Sequence, residues 1–586
     1  MFRRLIPFTL VALVTTGSFS ASAAGVHPRS ANGPCPPEAV VDPAAPTTDP
    51  DDDVNDDLDS RCDINPEAYF LNYQSPEYDQ MATTTMPNPS VIPAVPNTGI
   101  GPVAVNEAAA DAGLVVEPPE PQPPIEPGVL DDNTFVDEGD STWVETESDR
   151  ESTFALDVDT GSFSVAQQFL SEGYLPEPDS IRPEEWINSF DYGDEPAASG
   201  ALSITVDSTT GGPDGTALVR LGITTADLEP VERPSANITF VIDTSGSMDI
   251  RERLGMVQAS LALLVKNLRP DDTIAIVTYG DVATPVLAPT PVEEWRDIVA
   301  AIDALVPSGS TNMEAGLMLG YEQARENFDA DDLNVVVLAS DGVANNGVTD
   351  PEVLTDRITQ SGEDGIHLVT VGYGMGNYND YLMEQLADQG DGFYSYVDTF
   401  GEAERLFVDE LTPTLHVVAE QAKVQVVFDP DVVEEYRLIG YENRMLDDED
   451  FTDDTVDAGE LGAGHQVSAL YEVELADGAD VDDAAGEVRL RWQEPGSDNV
   501  TEIAQDVTLG DADASDSVRL AAVVAYTAEL LKGGSVVAGR DVTLDRLLED
   551  AEDLDDDGVE GADVMVELLE DALDAWPPNP TVVIED

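Results

Sequence analysis

Asp243-Thr244-Ser245-Gly246-Ser247-Met248 sets a carboxylate and two hydroxyls on alternate positions of a short stretch. It directly follows residues 238–243, a near-continuous apolar run of the kind a strand buried on both faces requires. Ligand sites in open α/β sheets lie at the carboxyl ends of strands, so position and residue types agree. A hard divalent cation such as Mg²⁺ takes oxygen ligands in near-octahedral order and keeps several waters. Ser245 and Ser247 can face one ion, Asp243 can accept from its bound water and balance charge, and Gly246 lets the backbone turn between the serines. Two more oxygens come from distant loops. Thr311 lies in Pro307-Ser308-Gly309-Ser310-Thr311-Asn312, and Asp341 in Ser340-Asp341-Gly342, after the apolar run 335–339. One such turn also reads as a helix cap. Three loops in this order, each at a strand end, read as one metal site.

The elements that must position these loops alternate between residues 237 and 411. Strands are expected at 238–243, 273–278, 334–339, 366–371 and 393–397. Helices are expected at 254–268, 292–305, 312–326, 352–359, 381–387 and 402–411; Leu254, Val257, Leu261, Leu264 and Leu268 repeat at helical spacing, and Pro270 follows the stop. Strand–helix alternation predicts a doubly wound parallel sheet. Before it, residues 202–206 and 216–223 read as strands, with a turn at Gly211-Gly212-Pro213, and residues 152–192 carry aromatic and apolar anchors. After residue 414, strands at 423–428, 436–441, 465–474, 487–492 and 501–508 alternate with period two, as in an antiparallel sandwich. Helices at 517–531, 544–548 and 564–573 follow, the first stopped by Gly533-Gly534.

The three loops together resemble the metal-ion-dependent adhesion site of von Willebrand factor type A domains, whose pattern is Asp-x-Ser-x-Ser, then a Thr, then an Asp. The resemblance implies a Rossmann-like domain over 236–412, in which Ser245, Ser247 and Thr311 coordinate the cation and Asp243 and Asp341 act directly or through water. It implies Mg²⁺, with Mn²⁺ or Ca²⁺ as alternatives, an open coordination position that takes a Glu or Asp from a protein partner, and a last helix, 402–411, that shifts to tune affinity. Leu156-Asp157-Val158-Asp159-Thr160, Arg182-Pro183-Glu184-Glu185 and Tyr436-Arg437-Leu438-Ile439-Gly440-Tyr441-Glu442-Asn443-Arg444 are similar to the N- and C-terminal regions of a bacterial exported family of such proteins. That likeness implies that strands on both sides of the type A domain join one sandwich.

The chain has 586 residues, with 119 Asp+Glu against 25 Lys+Arg, for a formal charge of -94. Such a polyanion repels nucleic acid and anionic membranes and attracts cations and basic partners. Either saline surroundings or solubility accounts for the excess. Arg3 and Arg4, an apolar run over 5–14 and Ala21-Ser22-Ala23 read as an export signal over 1–23, too short to span a bilayer. The protein is therefore expected outside the cell or at its surface. Residues 24–150, rich in Pro, Asp and Glu, read as a disordered acidic tether. Its carboxylates are candidates to occupy the metal's open position in cis. Cys35 and Cys62 form either a disulfide or two free thiols. The remaining blocks are an N-terminal flanking β region (151–235), a C-terminal β-sandwich region (413–510) and a C-terminal helical region (511–586).

Weaker signals carry less. Asp553-Leu554-Asp555-Asp556-Asp557-Gly558 opens like a calcium loop but has Val564 where a bidentate Glu belongs, and reads better as an acidic turn. Residues 372–377 form a Gly-rich loop on the rim of the metal face, where Tyr373, Tyr378 and Asn379 are candidate partner contacts. His27, His367, His416 and His465 have no zinc-ligand spacing, and there is no nucleophile elbow or phosphate loop. An enzyme is not expected. Two readings stand: a metal-dependent protein-binding or adhesion module, and a structural or assembly protein of the envelope with a stabilising metal site.

Overall fold

The structure, a computed structural model, describes residue 61, residues 64–74 and most of 133–575; positions 134, 137–138, 157–158, 198–200, 227–233, 331, 343–364, 375–378, 391, 398, 411–416, 455, 457, 480–483, 496, 498, 511–514, 534–536, 538–539 and 541 fall outside the description. The export signal, both cysteines, the expected helix at 352–359 and Tyr378 lie outside the described residues.

In chain order, α1 (Pro66–Leu71), β1 (Val144–Glu145), β2 (Glu151–Ala155), α2 (Gly161–Ser171), α3 (Pro183–Asn188), β3 (Leu202–Thr209) and β4 (Ala217–Thr225) come first. Next are β5 (Ala236–Asp243), α4 (Met256–Asn267), β6 (Thr273–Tyr279), β7 (Ala283–Pro291), α5 (Trp295–Asp303), α6 (Met313–Glu326), β8 (Leu333–Ser340), β9 (His367–Tyr373), α7 (Asp380–Asp388), β10 (Tyr394–Val397) and α8 (Phe400–Glu404). Then follow β11 (Val417–Phe428), β12 (Val433–Ile439), β13 (Gly459–Gly462), β14 (Gln466–Leu475), β15 (Ala484–Gln493), β16 (Val500–Thr508), α9 (Asp516–Lys532), α10 (Leu544–Asp557) and α11 (Ala562–Ala575).

Strands β5 to β10 form one sheet in the order β10-β9-β8-β5-β6-β7, parallel except for the edge strand β7. Alternation along β5 sorts its side chains between two helical layers. Ile238, Phe240 and Ile242 face α4, α5 and α8, while Val241 faces α6 and α7. Every residue of β5 and β8 is buried, as their apolar runs require. The edge strand β7 is an element the sequence reading lacks. Its alternation is broken by Pro285, Pro289 and Pro291, residues confined to edge strands because they cannot donate to a ladder.

The flanks build a sandwich of two sheets, β1-β12-β14-β4-β3 and β13-β11-β15-β16, with β2 added against β11. β4 pairs with β14 and β2 with β11, so strands from either side of the central domain share both sheets. Residues 151–235 and 413–510 are therefore one structural unit, and the former also holds α2 and α3. Inward residues of both sheets, among them Val219, Leu221, Val424, Val488 and Tyr471, make its core. On the outer face, Leu218, Ile439 and Leu470 meet α2, α3, α9, α10 and α11. Helix α9 ends at Gly533, whose φ of 79° is the left-handed stop expected there. Asp553, Asp555 and Asp557 lie in the last turns of α10, so no calcium loop forms.

The three flanking motifs meet on the central domain at α7 and β10. Arg182 Nη1 pairs with Asp380 Oδ2 at 2.6 Å and its Nε pairs with Glu185. Arg444 pairs with Asp388 Oδ1 at 3.1 Å and Asp159 Oδ2 at 3.5 Å. Asp159 Oδ1 accepts from Tyr394 N at 2.9 Å, and the Tyr394 hydroxyl donates to Asp380 Oδ1 at 2.6 Å. Removing one member of such a buried network leaves a charge stranded, which makes the joint specific in geometry.

Two parts of the presumed tether are folded. Residues 64–74 dock on the central domain, and Val144–Glu145 joins a sandwich sheet. The acidic average of residues 24–150 conceals a local start signal, Asn65 before Pro66, and the aromatic run Tyr69, Phe70 and Tyr73.

Glu184 is 2% exposed, and its Oε2 has no hydrogen-bond partner among the described residues. Burial, with Glu185 second, pushes its carboxyl up to about 7, and burial with Glu184 second does the same to Glu442. The folded chain thus binds more protons than the unfolded chain between the ordinary value of 4.5 and about 7, and stability falls as pH rises through that window. Glu184→Gln removes the cost. Urea unfolding is expected to show a gain of ~1–3 kcal/mol at alkaline pH and little change at acid pH. An equal gain at both would mean that ionisation of Glu184 is not the cause.

Candidate metal centre

Asp243 ends β5 and Asp341 follows β8, the adjacent parallel strand, with Ile242 opposite Ala339. The register therefore delivers both carboxylates to the same edge of the sheet, and both are 0% exposed. Asp243 Oδ1 accepts from Ser245 N at 2.7 Å, which closes the turn after the strand. Its Oδ2 accepts from the Ser340 hydroxyl at 3.2 Å, which ties β5 to the loop that carries Asp341. Beyond the turn, the hydroxyls of Ser245 and Ser247 lie 3.0 Å apart.

Thr311 comes from the loop before α6 and is 1% exposed. Backbone bonds stitch that loop to the first one. Gly246 N donates to Gly309 O at 3.3 Å, Asn312 N donates to Gly280 O at 3.0 Å, and Ser308 N donates to Thr244 O. The Thr244 and Ser308 hydroxyls meet at 3.3 Å. Asn312 caps α6 by accepting from Ala315 N at 3.1 Å, which leaves Thr311 just ahead of the helix. Asp281 braces the far side, accepting from the Ser310 hydroxyl at 2.7 Å and from Ser310 N at 2.9 Å.

The charge balance at this edge is uneven. A guanidinium answers one of the two carboxylates: Arg253 Nη1 pairs with Asp341 Oδ2 at 2.7 Å and donates to Ser247 O at 3.0 Å. Burial, reinforced by Asp341, pushes the Asp243 carboxyl up to about 8. A second positive charge would relieve that strain. The available donors are hydroxyl and carboxylate oxygens, the set a hard divalent cation prefers over softer metals. Among the described residues, no group of three or more His, Cys, Asp or Glu is arranged to hold a metal. Any ion here would rely on Ser245, Ser247 and Thr311 alongside the two acids, and the residues present fit it.

Arg253 is a site residue that the sequence reading missed; an arginine just ahead of an apolar helix and ten positions after the motif's Asp was the available signal. Other expectations need correction. Tyr373 is 1% exposed and packs in the core, so it is not a rim contact. Asn379 is a helix cap, accepting from Leu382 N at 3.2 Å. The expected closing helix is α8 followed by a π-helical turn over Arg405–Glu410, with Leu406 and Phe407 buried against the sheet.

A doubly wound sheet with an oxygen-donor site at its carboxyl edge defines a class of domain, and the sequence comparisons identify which. The von Willebrand factor type A domain model matches residues 237–409. Models described as the C-terminal region of uncharacterized protein YfbK and as von Willebrand factor match 413–486 and 130–214. The chain contains a von Willebrand factor type A domain. Uncharacterized protein YfbK of Escherichia coli is 41% identical over 332 residues, which cover 55% of this chain and 58% of that protein. Uncharacterized protein sll0103 of Synechocystis sp. is 26% identical over 197 residues, covering 34% of this chain and 46% of its own. The chain thus spans less than two thirds of either relative. Among solved structures, a von Willebrand factor type A protein from Catenulispora acidiphila aligns with a TM-score of 0.38 and 16% identity, over 65% of this chain and 91% of that one. Domains of this type generally mediate protein–protein interactions, often with a bound metal, are often extracellular and are generally not enzymes. No helix among the described residues is long and apolar enough to cross a membrane.

Arg253→Met keeps most of the side-chain bulk but strips Asp341 of its countercharge. In chelator this variant is expected to lose ~3–5 kcal/mol of stability in thermal or urea unfolding. A loss below ~1 kcal/mol would show that Asp341 does not depend on Arg253.

Proposed function

We propose that the protein is an exported, metal-dependent binding module. Asp243, Ser245, Ser247, Thr311 and Asp341 would hold a divalent cation, Mg²⁺ by preference, and the ion would grip a Glu or Asp carboxylate of a protein partner. The observation that carries this reading is the paired Ser245 and Ser247 hydroxyls, 3.0 Å apart, at the sheet edge where two carboxylates are buried and that of Asp341 is paired with the Arg253 guanidinium. When bound, the cation supplies a hard Lewis-acid position for an anionic oxygen. The chain's own residues do the rest. Asp243 fixes the turn through Ser245 N and so aims both serine hydroxyls. Ser340 orients the Asp243 carboxylate, and Arg253 orients Asp341. The stitched loop holds Thr311 against solvent, which keeps the donors dry and lowers the local dielectric. Likeness to inter-alpha-trypsin inhibitor heavy chains, 28% identical over 166 residues in the human H3 protein, supports a binding role over an enzymatic one.

Mg²⁺ at about a hundred times its dissociation constant should stabilise the chain by ~2.7 kcal/mol, seen as a raised melting temperature that a chelator reverses. Asp243→Ala and Thr311→Ala should abolish that gain, and with it the Mg²⁺-dependent capture of partner from an envelope extract. Capture that survives both substitutions and chelator would rule the metal out of binding.

A further inference from the structure

Arg61 and residues 64–74 lie against the type A domain, far in sequence from the elements they dock on. Arg61 is 2% exposed and its Nη1 donates to Leu268 O at 2.9 Å, at the carboxyl end of α4. Ile64, Tyr69, Phe70 and Tyr73 pack on the layer that holds α4 and α5. The Tyr69 hydroxyl donates to Asp303 Oδ1 at 2.7 Å, at the end of α5. The last contacts fall beside the metal centre. The Tyr73 hydroxyl donates to Asp249 Oδ1 at 3.0 Å, two residues past Ser247. The Arg251 guanidinium lies 4.7 Å above the Phe70 ring. Gly255 lies so close to the Tyr73 ring that an added Cβ would sit 3.0 Å from it, so a side chain here would push the ring away.

These contacts converge on one short segment. Residues 251–255 form a π-helical turn between the metal loop and α4, and Arg253 reaches from it to Asp341 and to Ser247 O. A single π-turn is a local irregularity of the helix, a feature found most often at kinks and functional sites. Phe70 meets it at Arg251, and Tyr73 at Gly255 and at Asp249 just before it.

We propose that residues 64–74 are a built-in clasp, in which Phe70 and Tyr73 act as positioning residues that brace the 249–255 turn and thereby preorganise the metal centre through Arg253. The inference rests on the metal reading above. A centre whose loop is already ordered loses less freedom when the ion arrives, so the clasp raises cation affinity without touching the ion. Coupling of this kind is reciprocal: an ion that binds the braced form better must also tighten the clasp.

The test uses the full chain and Mg²⁺ alone as probe. Tyr73→Phe removes a single hydroxyl contact, and Phe70→Ala removes the ring beneath Arg251. Each is expected to weaken Mg²⁺ binding by about threefold to tenfold in calorimetry, the equivalent of one or two weak contacts. Amide exchange should quicken over 249–258 in both variants. In the unaltered chain, saturating Mg²⁺ should slow exchange over 64–74, a response that a merely structural strap would not give. Unchanged affinity, tighter binding or a clasp indifferent to Mg²⁺ would overturn the proposal. If the unaltered chain binds no Mg²⁺, the metal reading itself fails. Exchange in the metal-free variants then still decides the bracing: unaltered protection over 249–258 removes the clasp as well.

Discussion

Two carboxylates buried at the end of a parallel sheet, one of them paired with a guanidinium, form the constraint around which this domain is arranged. Burying an uncompensated charge costs several kcal/mol. Arg253 answers Asp341, while burial and then the neighbouring Asp341 push the Asp243 carboxyl up to about 8, against the pull of its hydrogen bonds from Ser245 and Ser340. The parallel register of β5 against β8 fixes the problem in place, because it brings both strand ends to the same level. The hydroxyls of Ser245 and Ser247 and the loop of Thr311 then complete an oxygen-lined edge whose charge favours a cation. Acidity here is a local matter of burial and is distinct from the surface acidity that dominates the composition.

The domain is secured from two directions. On the layer holding α6 and α7, the flanking motifs lock α7 and β10 through Arg182, Arg444 and Asp159, and α2 adds Val165 and Phe169 to that layer's apolar contacts. On the opposite layer, residues 64–74 lie against α4 and α5. Segments outside the type A domain therefore contact both of its faces, and the joint at α7 and β10 uses charge pairs whose geometry is stricter than that of apolar packing.

Much of this was legible in the sequence, for reasons that differ by element. β5 and β8 read clearly because strands covered on both faces are apolar throughout, and the metal-site pattern stood at their ends. Helix α4 read clearly because its leucines repeat at helical spacing. The longer sandwich strands were found to within several residues, but the short β1, β2 and β13 were not; the pairing of β2 with β11 is set by a partner far along the chain. β7 was lost because its prolines mask the alternation. The helix at 66–71 was hidden by composition: averaged over 24–150 the chain looks unable to fold, yet three aromatic rings within five residues suffice to dock a single turn and a half. Arg253 was missed for a deeper reason. Its place ahead of α4 could be read from the chain, but its partner, Asp341, is adjacent only because β5 and β8 pair.

The order of the strands has a consequence for how the molecule is made. β4 must wait for β14, and β2 for β11, while the whole type A domain lies between them. An N-terminal half emerging from the ribosome thus carries sheet edges and apolar faces whose partners do not yet exist. The inserted domain, whose strands find their neighbours nearby, is set to fold first and to bring the two severed halves of the sandwich together afterwards, since closing a long loop becomes cheaper once its interior is compact. Until that closure the early strands are open to pairing with another copy of themselves, and a heavy negative charge is one means of keeping such nascent chains apart.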